Sequence, residues 1–296
     1  MWLSVKISAF VIMVLGMIAF MRRYFHQRFF QRTLREKNRL LAQAPAYART
    51  AADHAAHHCP LIVTRWLQHS GALEHDLAQT VHLYQSGMLR ATPNGKWLPF
   101  HAEQWYTVPN PGFLWTATVQ AAPGIPLLAR DLYFESRGDL QIKLDGIFPM
   151  AHSQGFPVDQ GSLIRFLAEI VWFPSAALSN YIEWEQIDTV TARAAMSYGR
   201  ITDGVIFHFD AFGDVERLEA ERYYSHGSLA TLEKWTMRVI PGSYKTFSGI
   251  RVPTELEVTW GLPEGDFTWL KLCISDVEYN IELDGLRLRR QVAVAY

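Results

Sequence analysis

The sequence predicts an α+β chain, mostly antiparallel β, in which a curved meander sheet is crossed by one central helix and preceded by an N-terminal transmembrane helix. Three observations predict it. The uncharged apolar run ISAFVIMVLGMIAFM, residues 7–21, turns at once into the basic stretch RRYFHQRFFQRTLREKNRL. From Val81 onward, short β-branched and aromatic runs alternate with Pro, Gly and Asn turns. A single segment with helical period, residues 161–173, divides those runs into two groups with no β-α-β rhythm.

Extended back to Trp2, the apolar run holds about 20 residues, the length a helix needs to cross ~30 Å of hydrocarbon. Its one charge, Lys6, lies near enough to the end to snorkel, and Trp2 suits the interface. A cleaved signal peptide carries its cations before the apolar core and a small-x-small site after it. Here Met21, Arg22, Arg23 and Tyr24 follow the core, so residues 1–21 are expected to remain as a single-pass anchor. Arg22, Arg23, Arg28, Arg32, Arg35, Lys37 and Arg39 all lie after it. That bias puts the rest of the chain on the cytoplasmic side, although large domains sometimes translocate regardless and a periplasmic placement stays open.

Residues 22–58 read as a basic helical arm and connector. Tyr24, Phe25, Phe29, Phe30, Leu34 and Leu40 alternate with the cations as in an interfacial helix, a solvated linker being the bland alternative. Pro45 interrupts the pattern within an alanine-rich stretch. Residues 59–296 then form the β-rich domain. A chain of 296 residues that is 49% hydrophobic and 19% charged can bury a sizeable core. Net charge is −1, so the part beyond the basic arm is acidic, which argues against a nucleic-acid partner. Cys59 and Cys273 read as buried thiols, with a single disulfide open only outside the cytoplasm.

Pro60 opens a short amphipathic helix, LIVTRWLQHS, that Gly71 closes. About twelve candidate strands follow, punctuated by Pro93-Asn94-Gly95, Pro109 to Gly112, Pro123-Gly124, Arg137-Gly138 and Gly213-Asp214. The central helix, GSLIRFLAEIVWF, places Leu163, Phe166, Leu167, Ile170 and Val171 on one face and is ended by Pro174. Within it, Arg165 and Glu169 are four apart and can form a partly buried ion pair.

Glu169 is also a candidate acid or base, and Asp131 a second candidate carboxylate. No G-x-S-x-G, H-E-x-x-H, G-x-x-x-x-G-K-[ST] or G-x-G-x-x-G motif occurs, which lowers the expectation of an enzyme. His54, His57, His58 and Cys59 cluster as weak metal candidates, but half of a finger-type site is missing and Pro60 follows directly. No metal and no cofactor is expected. Trp115, Phe166, Trp172, Trp184 and Trp260 are the candidate ligand-binding residues, because large rings between a curved sheet and a helix either line an apolar cavity or fill a thick core.

The motifs QSGM (85–88), GKWLPFHAEQ (95–104), FLWTA (113–117), RFLAEIVWFP (165–174), WEQID (184–188), IRVP (250–253) and YN (279–280) resemble an uncharacterised bacterial membrane-anchored family of unknown function, over about residues 80–280. The resemblance makes the membrane a bacterial inner membrane. The arrangement is also similar to the half-barrel of periplasmic lipoprotein carriers, which shelter acyl chains. It implies a half-barrel-like sheet whose partners are the lipid bilayer and a lipid or other apolar molecule, and it carries no functional residue. Two alternatives stand beside it: a hydrolase using Glu169 or Asp131, and a membrane scaffold acting through the 24–44 arm.

Overall fold

A computed structural model describes residues 2–44, 59–227 and 229–281. Three α-helices are present among them: α1 (Trp2–Leu41), α2 (Leu61–His69) and α3 (Phe156–Glu169). Before α3 come β1 (Thr80–Leu89), β2 (Leu98–Thr107), β3 (Gly112–Ala122), β4 (Ile125–Phe134), β5 (Arg137–Leu144) and β6 (Phe148–Gln154). After it come β7 (Ile182–Gln186), β8 (Thr191–Tyr198), β9 (Ile201–Phe209), β10 (Val215–His226), β11 (Leu229–Val239), β12 (Tyr244–Phe247), β13 (Ile250–Pro253), β14 (Glu255–Leu262) and β15 (Gly265–Tyr279).

Thirteen of these strands form one antiparallel sheet, in the order β6-β5-β4-β3-β2-β1-β15-β14-β11-β10-β9-β8-β7. It curls into a half-barrel. The two strand groups seen in the sequence are its two halves, joined where β1 pairs with β15. Three strands escape the periodicity. β6 contains Pro149, tolerable because β6 is an edge strand, and β12 and β13 pair only with each other over four residues each.

The register sorts the inner face into two ends. Tyr106, Phe113 and Tyr133, neighbours across β2, β3 and β4, have no exposed surface. They belong to a continuous core with Ile62, Val63, Trp66 and Leu67 of α2 and with Trp172, so that end is sealed. At the other end Leu98, Leu127, Ile142, Tyr224, Leu262 and Leu270 pack on the same core but are only partly buried. α3 lies against β4, β5, β6, β8, β9 and β10, and the second end, where those side chains keep part of their surface, is the open one.

The central helix starts at Phe156 rather than Gly161, because Pro157 pre-sets its first turn and Gly155, with φ +98°, makes the entry. It tightens into a 3-10 turn at Ile170–Trp172 before Pro174. Gly138 lets β5 approach α3: a Cβ there would lie 2.7 Å from Ser162 Oγ.

α1 is one unbroken helix with two environments. Its first half exposes Phe10, Ile12, Met13, Leu15, Met17 and Phe20, and the helix is long and apolar enough to cross a membrane. Its second half, expected as an interfacial arm or linker, lies on the outer face of the sheet. There Leu40 and Leu41 are buried with Trp105 and Leu114, and the Lys37 ammonium sits 5.2 Å from the Trp105 ring. Arg130 of β4, 1% exposed, donates from Nε to Glu36 Oε2 at 2.7 Å and from Nη2 to Glu36 Oε1 at 2.9 Å. Its Nη1 pairs with Asp139 at 2.6 Å.

Candidate functional site

Between the sealed and open ends the inner face carries polar side chains where strand alternation would otherwise place apolar ones. Gln104 stands two residues before the buried Tyr106 on β2, and Asp131 two before Tyr133 on β4, so both point inward. Facing them, Arg165 and Glu169 sit one turn apart on α3.

Arg165 is the hub. Its Nε donates to Glu169 Oε1 at 2.8 Å, Nη1 to Asp131 Oδ2 at 2.8 Å and Nη2 to Gln104 Oε1 at 3.1 Å. Glu169 Oε2 accepts from Gln104 Nε2 and from the Tyr106 hydroxyl, both at 2.8 Å. The chain continues outward, as Gln85 donates to Gln104 Oε1 at 3.0 Å and Trp115 Nε1 donates to Gln85 Oε1 at 2.9 Å. The guanidinium also lies 4.8 Å from the Phe113 ring and 5.5 Å from Trp115.

Burial works against the Arg165 cation, but the Glu169 and Asp131 carboxylates outweigh it and hold Arg165 above its ordinary pKa. Burial pushes Asp131 up, against the pull of Arg165, Arg222 and Arg130. Its Oδ1 is buried with no hydrogen-bond partner. Burial, then the charge of Glu169, raises the Tyr106 phenol.

A second guanidinium completes the cluster. Arg222 lies against α3 at Gly161, where a Cβ would come 3.1 Å from Nη2, and over the rings of Trp235 at 4.9 Å and Trp260 at 5.7 Å. Its Nε is buried without a hydrogen-bond partner. Burial, then repulsion from Arg165, brings its pKa down to about 10. Arg222 is not among the residues expected from the sequence, although it carries a signal there: on β10 it shares the inward face with Leu218 and Ala220, an arginine in an apolar period-2 row.

The two carboxylates singled out from the sequence therefore meet, joined through Arg165. Glu169 spends both oxygens on three donors, an arrangement that fixes α3 to the sheet. Of the five aromatic candidates, Trp115 and Trp260 flank the polar cluster. Phe166 and Trp172 are fully buried in the core, Trp172 donating to the Pro253 carbonyl at 3.1 Å. Trp184 lies with Trp66 and Phe207 near the sealed end and donates to the Ala177 carbonyl at 2.9 Å. A separate cleft of about 900 Å³ lies outside the sheet, between α1 and β1 to β4, with Phe29, Phe30, Leu34, Tyr84 and Thr118 in its walls.

His54, His57 and His58 lie outside the described residues. Among the described residues, no three His, Cys, Asp or Glu side chains are placed to hold a metal ion. Cys59 and Cys273 are free thiols. Burial pushes the Cys59 thiol up to about 11 from 9.0, so at pH 8 its alkylation by iodoacetamide is expected to be roughly hundredfold slower than in denatured chain. Peptide mass mapping of the labelled protein checks this, and equal rates would contradict it.

Two solved structures are similar to the chain at low identity. One is a putative outer membrane lipoprotein-sorting protein domain from Vibrio parahaemolyticus, 11% identical, covering 81% of this chain and 98% of that one, with a TM-score of 0.43. The other is a DUF1329 family protein from Desulfovibrio piger ATCC 29098, 10% identical, covering 79% and 95%, with a TM-score of 0.40. Among curated proteins nothing matches. The model of DUF6544, described as a family of unknown function, matches residues 49–272, and the chain belongs to that family.

Proposed function

We propose that this is a single-pass membrane protein whose half-barrel holds a lipid or another apolar molecule on its concave face. In this reading residues 1–21 anchor the chain, residues 22–58 connect it and residues 59–296 carry the ligand. The excess of Lys and Arg after the anchor favours the cytoplasmic side of a bacterial inner membrane. One observation carries the ligand reading: at the open end the inner-face side chains Leu98, Leu127, Ile142, Tyr224, Leu262 and Leu270 remain partly uncovered beside a continuous core. Arg222, with a free buried Nε among tryptophan rings, supplies a place for an acidic head.

The test is titration of the full chain in detergent with palmitic acid and with methyl palmitate, followed by native mass spectrometry. Wild type is expected to take up one molecule of either and to prefer the acid by about tenfold, the worth of one charge-assisted hydrogen bond. Arg222→Met removes the preference while ester binding stays. Uptake of neither by a folded sample refutes the ligand reading. Equal affinities retain it and refute the role of Arg222. A diazirine-bearing fatty acid that crosslinks to Tyr84 and Thr118 instead of Leu98 and Leu270 would move the site to the outer cleft.

A further inference from the structure

The open end of the half-barrel faces the way α1 leaves the domain. α1 follows β4 along its length in the same direction. Arg22 donates to the Gly124 carbonyl at 2.7 Å and pairs with Asp145 at 2.6 Å, at the turns that close β3–β4 and β5–β6 at the open end. Glu36 meets Arg130 midway along β4. Leu40 and Leu41 pack on Trp105 and Leu114 toward the sealed end, where Asn110 donates to the Gln43 carbonyl at 3.0 Å. The helix ahead of Arg22 therefore projects beyond the mouth.

About 20 residues at 1.5 Å each project there, or ~30 Å, the thickness of a hydrocarbon core. With that length immersed, Arg22 and the turns it grips stand at headgroup depth. At this level the domain presents Ile125, Phe148 and Met150, exposed by 44%, 59% and 60%. The neighbouring β1–β2 loop carries Lys96, suited to anionic headgroups.

We propose that this apolar rim is a second membrane contact, inserted in the leaflet that α1 enters, so that the concave face opens onto lipid rather than water. Its partner is the bilayer itself. The inference rests on the anchor reading and is independent of what occupies the inner face.

The test uses the full chain with Cys59→Ser and Cys273→Ser, reconstituted into vesicles of phosphatidylethanolamine and phosphatidylglycerol. Nitroxide labels are attached one at a time at Ile125→Cys, Phe148→Cys, Phe10→Cys and Phe212→Cys. Phe212 is 74% exposed in the β9–β10 turn at the sealed end, an equally apolar control. Labels at 125 and 148 are expected to collide with oxygen rather than a water-soluble nickel chelate, at a ratio several-fold above that at 212 and near that at 10. Equal ratios at 148 and 212, with 10 still shielded, overturn the rim contact and leave the anchor standing. A water-like ratio at 10 overturns both.

Discussion

Arg165→Met is expected to cost about 3–5 kcal/mol of folding stability, because it strands two carboxylates that the fold cannot rehydrate. Glu169 and Asp131 would keep their buried positions and lose their shared counter-ion, while Gln104 would lose one donor. Burial already pushes Asp131 up. Without Arg165 the folded-state pKa rises further above the unfolded value, so the folded state binds more protons and stability falls as pH increases. The deficit relative to wild type should thus be larger at pH 7 than at pH 5. Urea unfolding of the full chain in detergent at the two pH values measures it. The triple variant Arg165→Met, Glu169→Gln, Asp131→Asn should recover most of the loss, since no unpaired charge is left inside. A single variant as stable as wild type, or a deficit that grows on acidification, would contradict the role assigned to the hub.

Arg130→Met should cost about 3 kcal/mol or more and free the second half of α1 from the sheet. Arg130 holds Glu36 through two nitrogens and Asp139 through a third, with almost no exposed surface. Removing it leaves two acids facing each other across the contact. Arg32, which pairs with Glu36 at 2.9 Å and reaches Asp139 at 3.6 Å, is too exposed to replace it. Limited trypsin digestion in micelles reads the outcome as faster cleavage after Arg32, Arg35 and Arg39. Unchanged cleavage would show that Leu40, Leu41 and Lys37 suffice to dock the helix. The same variant should loosen the depth at which the mouth is held, since α1 is then tied down mainly by Arg22 and its last turn.

Much of this is legible in the amino-acid sequence. The alternation from Val81 onward marks inward and outward faces strand by strand, and the pair Arg165 and Glu169 follows from helical spacing, found at 2.8 Å. The apolar N-terminal helix is legible for the same reason, since its signal is a run of neighbours. Asp131 as the second partner of Arg165 was not legible, because it arrives from a strand 34 residues away. Nor was the Glu36–Arg130 contact, whose partners lie 94 apart. β6 was hidden by Pro149, which a central strand would not tolerate and an edge strand does.

By itself, then, the sequence determined the class of the chain: one helix fit for a bilayer, an antiparallel meander, a helix dividing it, and the face each side chain takes. These are local matters, governed by periods of 2 and 3.6 residues. Only the tertiary structure decided that β1 closes on β15, that Arg165 gathers Glu169 and Asp131, that Arg222 is left with a free donor, and that the half-barrel opens toward the end from which α1 departs. Those depend on which distant side chains exclude water together, and a one-residue slip in register would have turned each of them to the other face.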